Sequence, residues 1–262
     1  MKLSFYLANP AGNLTIFVTT PVPPQSIAPL SARLLALPEY HAEQVAFQVP
    51  PRQGAAGRIQ MMGGEFCGNA TRSFGYLLSM LAPDRPKQVL VEISGADAPL
   101  LVEIDHEKGT CKTQMPLLST AKTIHYEGET FDVMVFDGIV HTIVPGKPRP
   151  EAFVRGLIAA VRQANPSDAY GVMFLDGTER LVPAVYVCAT DSLVWESSCG
   201  SGSMACAAHL ALPRISGCYT YAFHQPGGTI EATVGLENGK VTLCQMGGPV
   251  EISPLLTAEV AL

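Results

Sequence analysis

Two cysteines stand at the head of small-residue turns that open into helical runs. In Trp195-Glu196-Ser197-Ser198-Cys199-Gly200-Ser201-Gly202-Ser203 the turn leads into an Ala-rich segment. In Gly63-Gly64-Glu65-Phe66-Cys67-Gly68-Asn69-Ala70-Thr71 it leads into Arg72-Ser73-Phe74-Gly75-Tyr76-Leu77-Leu78. Each copy has an acid shortly before the Cys, Gly after it and a small polar residue next, so the pair reads as a duplicated design. The spacing places each thiol at or just before a helix N-terminus, where unpaired N–H groups and the positive end of the dipole face outward. Such an end binds anions and is expected to draw a thiol pKa from ~8.5 into the range ~3.5–7.5. A thiolate and a thiol facing a carboxylate held on two helix ends can remove a proton from one face of a carbon and return one to the other. That is stereoinversion at an amino-acid α-carbon by general acid–base catalysis, the helix ends stabilising the enolate-like charge.

Other chemistries fit less well. No ligands with close zinc-like spacing surround either cysteine, so no metal is expected. A phosphatase-type cysteine loop needs an Arg six positions on, where Ser73 and Ala205 stand. The turns lack the Lys of a P-loop and the spacing of a dinucleotide fingerprint. A pyridoxal route needs a lysine beside a phosphate cradle, and none of the seven lysines has such a Gly/Ser context. No cofactor is therefore expected. Cys111, Cys188, Cys206, Cys218 and Cys244 lie in apolar runs and read as small buried hydrophobes. Glu65 and Glu196 read equally as solvated or cap-like residues and as catalytic ones. His141, inside Val140-His141-Thr142-Ile143-Val144, reads by default as a satisfied strand histidine.

The elements that must position these groups follow from length and pattern. At 262 residues the chain makes one large domain or two of about half that size, and 47% hydrophobic against 15% charged residues describes a globular protein. A net charge of −6 without basic runs argues against nucleic-acid and anionic-membrane partners. No signal-peptide pattern and no membrane-length apolar run is evident, and seven cysteines without framework spacing suggest reduced thiols in a cytoplasm. Alternation over 3–20 around Pro10-Ala11-Gly12-Asn13 predicts a hairpin, followed by a helix at about 26–37 with Ile27, Leu30, Leu34 and Leu35 on one face. Strands are expected near 44–49 and 57–62, then the first Cys turn with its helix to about Leu81, then strands at 88–94, 99–105 and 110–115. The second half repeats the order. Strands near 122–126, 131–136 and 139–144 precede a helix at about 150–164, and strands near 170–175, 181–188 and 192–195 lead to the second Cys turn and its helix, stopped by Pro213. Strands near 219–223, 229–235 and 240–246 close it. The expected domains are 1–117, completed by 249–262, and 118–248.

These residues resemble the cofactor-independent amino-acid racemases and epimerases of the diaminopimelate epimerase fold. Pro10-Ala11-Gly12-Asn13 resembles that family's Gly-Asn turn, and Phe66-Cys67-Gly68-Asn69-Ala70 its first Cys-Gly-Asn. Cys199-Gly200-Ser201-Gly202 is similar to its Cys-Gly-Thr-Gly, Pro226-Gly227-Gly228 to its late Pro-Gly-Gly, and Gly248-Pro249 to its C-terminal Gly-Pro. The resemblance implies an α+β protein of two pseudo-symmetric domains, each a β-barrel around a central helix, with the active site in the cleft between. It implies Cys67 and Cys199 as the acid/base pair, and the backbone N–H groups of Gly68, Asn69, Gly200 and Ser201 as the carboxylate holder, with Asn13 beside them. The family's Asn-Pro-His falls on Ile139-Val140-His141, leaving His141 as support for a cysteine. Related enzymes are often dimers, so a homodimer is expected.

One departure bears on the substrate. Diaminopimelate epimerases carry a Glu-Arg pair before the second Cys, whose Arg grips a distal carboxylate. Here residues 181–202 hold no Lys or Arg, and Thr190-Asp191 fall at that place. Within the family, the strings around Asn13, Cys67, Cys199 and His224-Gln225-Pro226-Gly227-Gly228 are most similar to the histidine racemases of opine-metallophore (staphylopine-type) biosynthesis, and Glu43 matches an acidic position there. Free histidine is thus the expected substrate, with Glu43, Glu65, Asp191 and Glu196 as acids suited to an imidazole. The alternatives are racemisation of another amino acid such as diaminopimelate, and a metabolite-binding protein without catalysis, against which the presence of both cysteines argues.

Overall fold

The computed structural model describes residues 1–188 and 191–260. They form an α+β protein, rich in sheet with few helices, divided into two compact units: Met1–Gln114 with the segment from Gly247 onward, and Met115–Met246.

The first unit contains β1 (Lys2–Asn9), β2 (Thr15–Val18), α1 (Ile27–Leu35), β3 (Gln44–Val49), β4 (Gly57–Met61), α2 (Gly68–Leu81), β5 (Gln88–Ile93), β6 (Leu100–Asp105) and β7 (Thr110–Gln114). β1 and β2 pair antiparallel around the Pro10–Asn13 turn, where Ala11 and Gly12 both take positive φ. β2 and β3 are parallel across the α1 crossover, and β3 and β4 antiparallel. β4 and β5 are parallel across α2, and β5, β6 and β7 run antiparallel. The continuous apolar run Thr15-Ile16-Phe17-Val18 is buried on both faces, as a strand between two helices must be. Ile16 and Val18 join Phe5, Val45 and Phe47 beneath Leu30 and Leu34 of α1. Phe17, with Ala8 and Ala46, packs instead on Phe74 and the α2 core. α2 is buried along nearly its whole circumference, eleven of its fourteen residues being inaccessible, with β4 to β7 against it.

The second unit contains β8 (Thr120–Tyr126), β9 (Glu129–Val135), β10 (Ile139–Pro145), α3 (Glu151–Ala164), β11 (Ala169–Asp176), β12 (Arg180–Val187), β13 (Ser192–Trp195), α4 (Gly200–Ala211), β14 (Gly217–Gln225), β15 (Gly228–Glu237) and β16 (Lys240–Pro249), whose last residues lie in the first unit. Its pairing repeats that of the first. β9 and β10 are antiparallel, β10 and β11 parallel across α3, β11 and β12 antiparallel, β12 and β14 parallel across α4, and β14 and β15 antiparallel. α3 is amphipathic and covers Val140, Val144, Val172 and Phe174 with Val154, Leu157 and Val161. α4, built of Gly, Ser, Ala, Met and Cys apart from His209 and Leu210, has almost no polar face and packs against β9, β10, β11, β14 and β15. The chain then returns to the first unit, where β17 (Glu251–Ile252) and β18 (Leu256–Glu259) pair antiparallel with β1. Among the described residues no helix is long and apolar enough to cross a membrane.

One turn fixes the approach to Cys67. Gly95, just after β5, has φ +74° and lies against the Glu65–Phe66 backbone, so that a Cβ there would collide with the Phe66 nitrogen. Gly109 has a similar φ of +64° but open space around it. Gly109→Ala is expected to cost about 1–2 kcal/mol from the left-handed backbone alone. Gly95→Ala adds a backbone clash of about 1–3 kcal/mol to that strain. Urea unfolding of the two variants measures the difference, and equal destabilisation would refute the close approach.

Candidate active site

Cys67 is the N-cap of α2. Its backbone is extended, at φ −138° and ψ 112°, and its sulfur accepts from the Ala70 N–H at 3.4 Å. This is the geometry of a Ser or Asp cap with sulfur in place of oxygen. The Cys67 carbonyl receives both the N–H and the hydroxyl of Thr71, at 2.9 and 2.8 Å. The Gly68 and Asn69 amides, at the first two helical positions, have no intrahelical carbonyl to bond. The half-buried thiol donates to Gln44 Oε1 at 3.0 Å.

Beside it runs a chain of side-chain hydrogen bonds whose direction is set at both ends. Arg72 is fully buried and has only donors, so its Nε–H must face Asn69 Oδ1, at 3.2 Å. Asn69 Nδ2 then donates to Asn13 Oδ1 at 3.2 Å, and Asn13 Nδ2 to Glu43 Oε2 at 2.7 Å. Arg72 Nη1 donates to the Gly248 and Pro249 carbonyls, both at 3.0 Å, and contacts Cys111 Sγ; Nη2 has no hydrogen-bond partner among the described residues. Thus Asn13, Glu43, Gln44, Cys67, Gly68 and Asn69 form one neighbourhood.

Cys199 caps α4 in the same way, at φ −123° and ψ 115°, its sulfur accepting from the Gly202 N–H at 3.4 Å. Ser203 bonds the Cys199 carbonyl through its N–H and its hydroxyl, as Thr71 does for Cys67. Gln225, from β14, accepts from the Cys199 N–H at 2.8 Å and donates to Ser203 Oγ at 2.9 Å, which locks the cap backbone. Ser201 Oγ lies 3.5 Å from Cys199 Sγ and 3.0 Å from His141 Nε2. Cys199 is buried, and the expectation that a helix end lowers the thiol pKa does not hold here. Burial and the negative charge of Glu196 push it well above the usual thiol range, and the Ser201 and Gly202 donors only offset part of that. Desolvation of a charged sulfur outweighs a helix end that touches it through one N–H.

His141 is fully buried on β10, on the strand face that turns to α4, and burial lowers its pKa from 6.5 to about 3. It therefore stands neutral. Glu65 is exposed, and its backbone carbonyl accepts from Ser94 at 3.0 Å. Asp191 accepts from the Tyr186 hydroxyl at 2.7 Å, which also receives Arg162 from α3, so its side chain is tied to the α3 side of the unit. Thr190 lies outside the described residues. Sequence reasoning missed Arg72, Gln44 and Gln225. Arg72 sits in an otherwise small and apolar helix, a placement that signals a buried cation; the two glutamines carry no local signal. Among the described residues no group of three or more His, Cys, Asp or Glu is placed to hold a metal ion.

Comparison with known proteins places these features in context. The family described as histidine racemase CntK N-terminal domain matches residues 2–256. The chain is similar to a histidine racemase of Fusobacterium nucleatum, 31% identical over 261 residues that cover 95% of this chain and 94% of the relative. It is likewise 30% identical to a histidine racemase of Staphylococcus aureus over 242 residues, 88% of each chain. Among solved structures, the probable proline racemase of Agrobacterium radiobacter K84 shares the fold, with a TM-score of 0.69 and 13% identity across 99% of this chain and 93% of that one.

The neutral state of His141 has a measurable consequence. Below pH 6.5 the unfolded chain takes up a proton at this position that the folded one refuses until about pH 3. Folding stability is therefore lost as pH falls through that window, by about 1.4 kcal/mol per pH unit for one proton. His141→Gln is expected to remove one proton's worth of this slope, read from urea midpoints across the window. An unchanged slope would mean the histidine titrates normally.

Proposed function

The chain belongs to the histidine racemase CntK N-terminal domain family, and from that premise we propose that it inverts the α-carbon of free histidine, L to D and back, with Cys67 and Cys199 as the acid/base pair and no cofactor. The observation that carries the reading is the same cysteine-capped helix end in both units. It is an isomerase of the amino-acid racemase type, as its curated relatives at about 30% identity are. The finer architecture belongs to the same proposal: two diaminopimelate-epimerase-like barrels, supported by the repeated strand pairing and by the burial of α2 and α4.

In this mechanism one thiolate takes the α-proton. The C–H electron pair passes into the carboxylate as an enediolate-like anion, and the other thiol delivers its proton to the opposite face. Each turnover leaves the sulfurs with exchanged protonation, and the reverse reaction resets them. Charge on the carboxylate oxygens grows as the proton leaves, so the first-turn amides of Gly68, Asn69, Gly200 and Ser201 bind the transition state more tightly than the substrate. Cys199, held protonated by burial and by Glu196, is the resting acid.

The side chain decides the substrate. Residues 181–188 and 191–202 offer no cation for a distal carboxylate, which would cost several kcal/mol if buried unpaired. The half-buried Glu43 and Glu196 carboxylates suit the N–H donors of an imidazole. The D-histidine produced fits supply to an opine-metallophore synthesis in the cytoplasm.

A panel of free amino acids assayed by chiral chromatography tests the reading. Histidine is expected to racemise after dialysis against chelator and carbonyl reagent, and preference for a diacid would overturn it. Cys67→Ser and Cys199→Ser should each lower racemisation by about 10²–10⁴-fold. Near-normal inversion in either variant would remove the two-thiol pair.

A further inference from the structure

His141 and Ser201 form a chain onto Cys199 whose direction can be worked out atom by atom. The imidazole is fully buried, its Nε2 stands 3.0 Å from Ser201 Oγ, and its Nδ1 has no hydrogen-bond partner. Nδ1 faces Gly171, its register partner on β11, where any Cβ would collide with the ring, so the sequence keeps that position empty. A neutral imidazole has one proton to place. On Nδ1 it would be a buried N–H donor without an acceptor, the rarest kind of unsatisfied group. On Nε2 it leaves only an unpartnered lone pair at Nδ1, which is tolerated better. Nε2–H therefore donates to Ser201 Oγ. The single Ser201 hydrogen is then directed to the remaining neighbour, Cys199 Sγ at 3.5 Å.

We infer that Ser201 is a catalytic residue through its hydroxyl, which donates to Cys199 Sγ and holds it as thiolate while Cys199 acts as base. His141 is the positioning residue that fixes the direction of that hydroxyl. The inference rests on the two-thiol reading above and extends it. Racemisation runs both ways, so the buried Cys199 must be a base in one of them. The titratable groups facing its sulfur are Glu196, which opposes the thiolate, and His141, which is neutral and acts through Ser201. When the thiolate takes the α-proton it becomes S–H and the electron pair stays on the substrate; Ser201 and His141 keep their own hydrogens. The chain moves no proton of its own, and a hydrogen bond to a charged acceptor is stronger than one to a neutral thiol.

Site-resolved alkylation by iodoacetamide, followed by peptide mass spectrometry from about pH 6 to about pH 10, reads each thiolate separately. Cys199 titrates above this range, so its rate follows the rising thiolate fraction, and in Ser201→Ala it is expected to alkylate about tenfold more slowly at every pH, while Cys67 keeps its own profile. Ser201→Thr should restore the profile. His141→Gln, which retains a terminal N–H, should stay near the parent, and His141→Leu should match Ser201→Ala. An unmoved Cys199 profile in Ser201→Ala, or an equal shift at Cys67, would overturn the inference. If His141→Leu does not fold, the Ser201 pair decides alone. The readout needs no substrate, so a protein inactive on every amino acid would sink the racemase reading while leaving this one standing or falling on its own result.

Discussion

A helix buried on all sides has one place where its backbone still has donors to give, its first turn, and the structure is arranged around two such ends. α2 and α4 are enclosed by the sheets that cross over them, so their first-turn N–H groups must be satisfied by a cap or by a ligand. In both the cap is a cysteine sulfur, longer and weaker as an acceptor than an oxygen. That choice sacrifices some capping strength and leaves a nucleophilic, titratable atom at the positive end of the dipole. The hydroxyls of Thr71 and Ser203 restore part of the anchoring by holding the cysteine carbonyls.

The two ends are the same in backbone and different in electrostatics. Cys67 is half-buried and meets a neutral amide, Gln44. Cys199 is buried, lies near Glu196, and is served by a hydroxyl and an amide. For a proposed reaction run in both directions, one pool of protons must sit on one sulfur and leave the other able to accept. The burial of Cys199 supplies that asymmetry; its donors limit how far it goes.

The first end also carries a buried cation. Arg72 has carbonyls, an amide oxygen and a sulfur around it, but among the described residues no carboxylate is a hydrogen-bond partner and one of its nitrogens is unsatisfied. Its effect is to order its surroundings. It pins the Gly248–Pro249 return of the chain to α2, and together with the Glu43 carboxylate at the other end it sets which way the Asn69 and Asn13 amides point. An Asn in either place is otherwise free to turn its oxygen outward.

The cysteine turns, their helices and most strands were legible in the residues because each is a local pattern: small residues before an apolar helix, strict alternation, Pro or Gly at an end. The repetition of the order was legible for the same reason. What the sequence could not specify was everything that depends on burial from a distance. The Pro-interrupted tail pointed to a return of 249–262 to the first unit, but the register by which β17 and β18 pair with β1 across nearly the whole chain length is encoded by no local periodicity. The helix-end rule gave Cys199 a lowered pKa, whereas the folded chain raises it, because desolvation depends on what packs over the sulfur and not on the turn that presents it. Glu65 stands two residues before its cysteine and Glu196 three before its own, yet one is exposed and the other acts on a thiol. His141 became part of the site through its strand register, which turns its ring toward α4 and opposite a glycine on the next strand. Residue types and spacing determined which atoms were available for chemistry; the tertiary structure alone decided their charge states, because a charge is set by every group that excludes water from it.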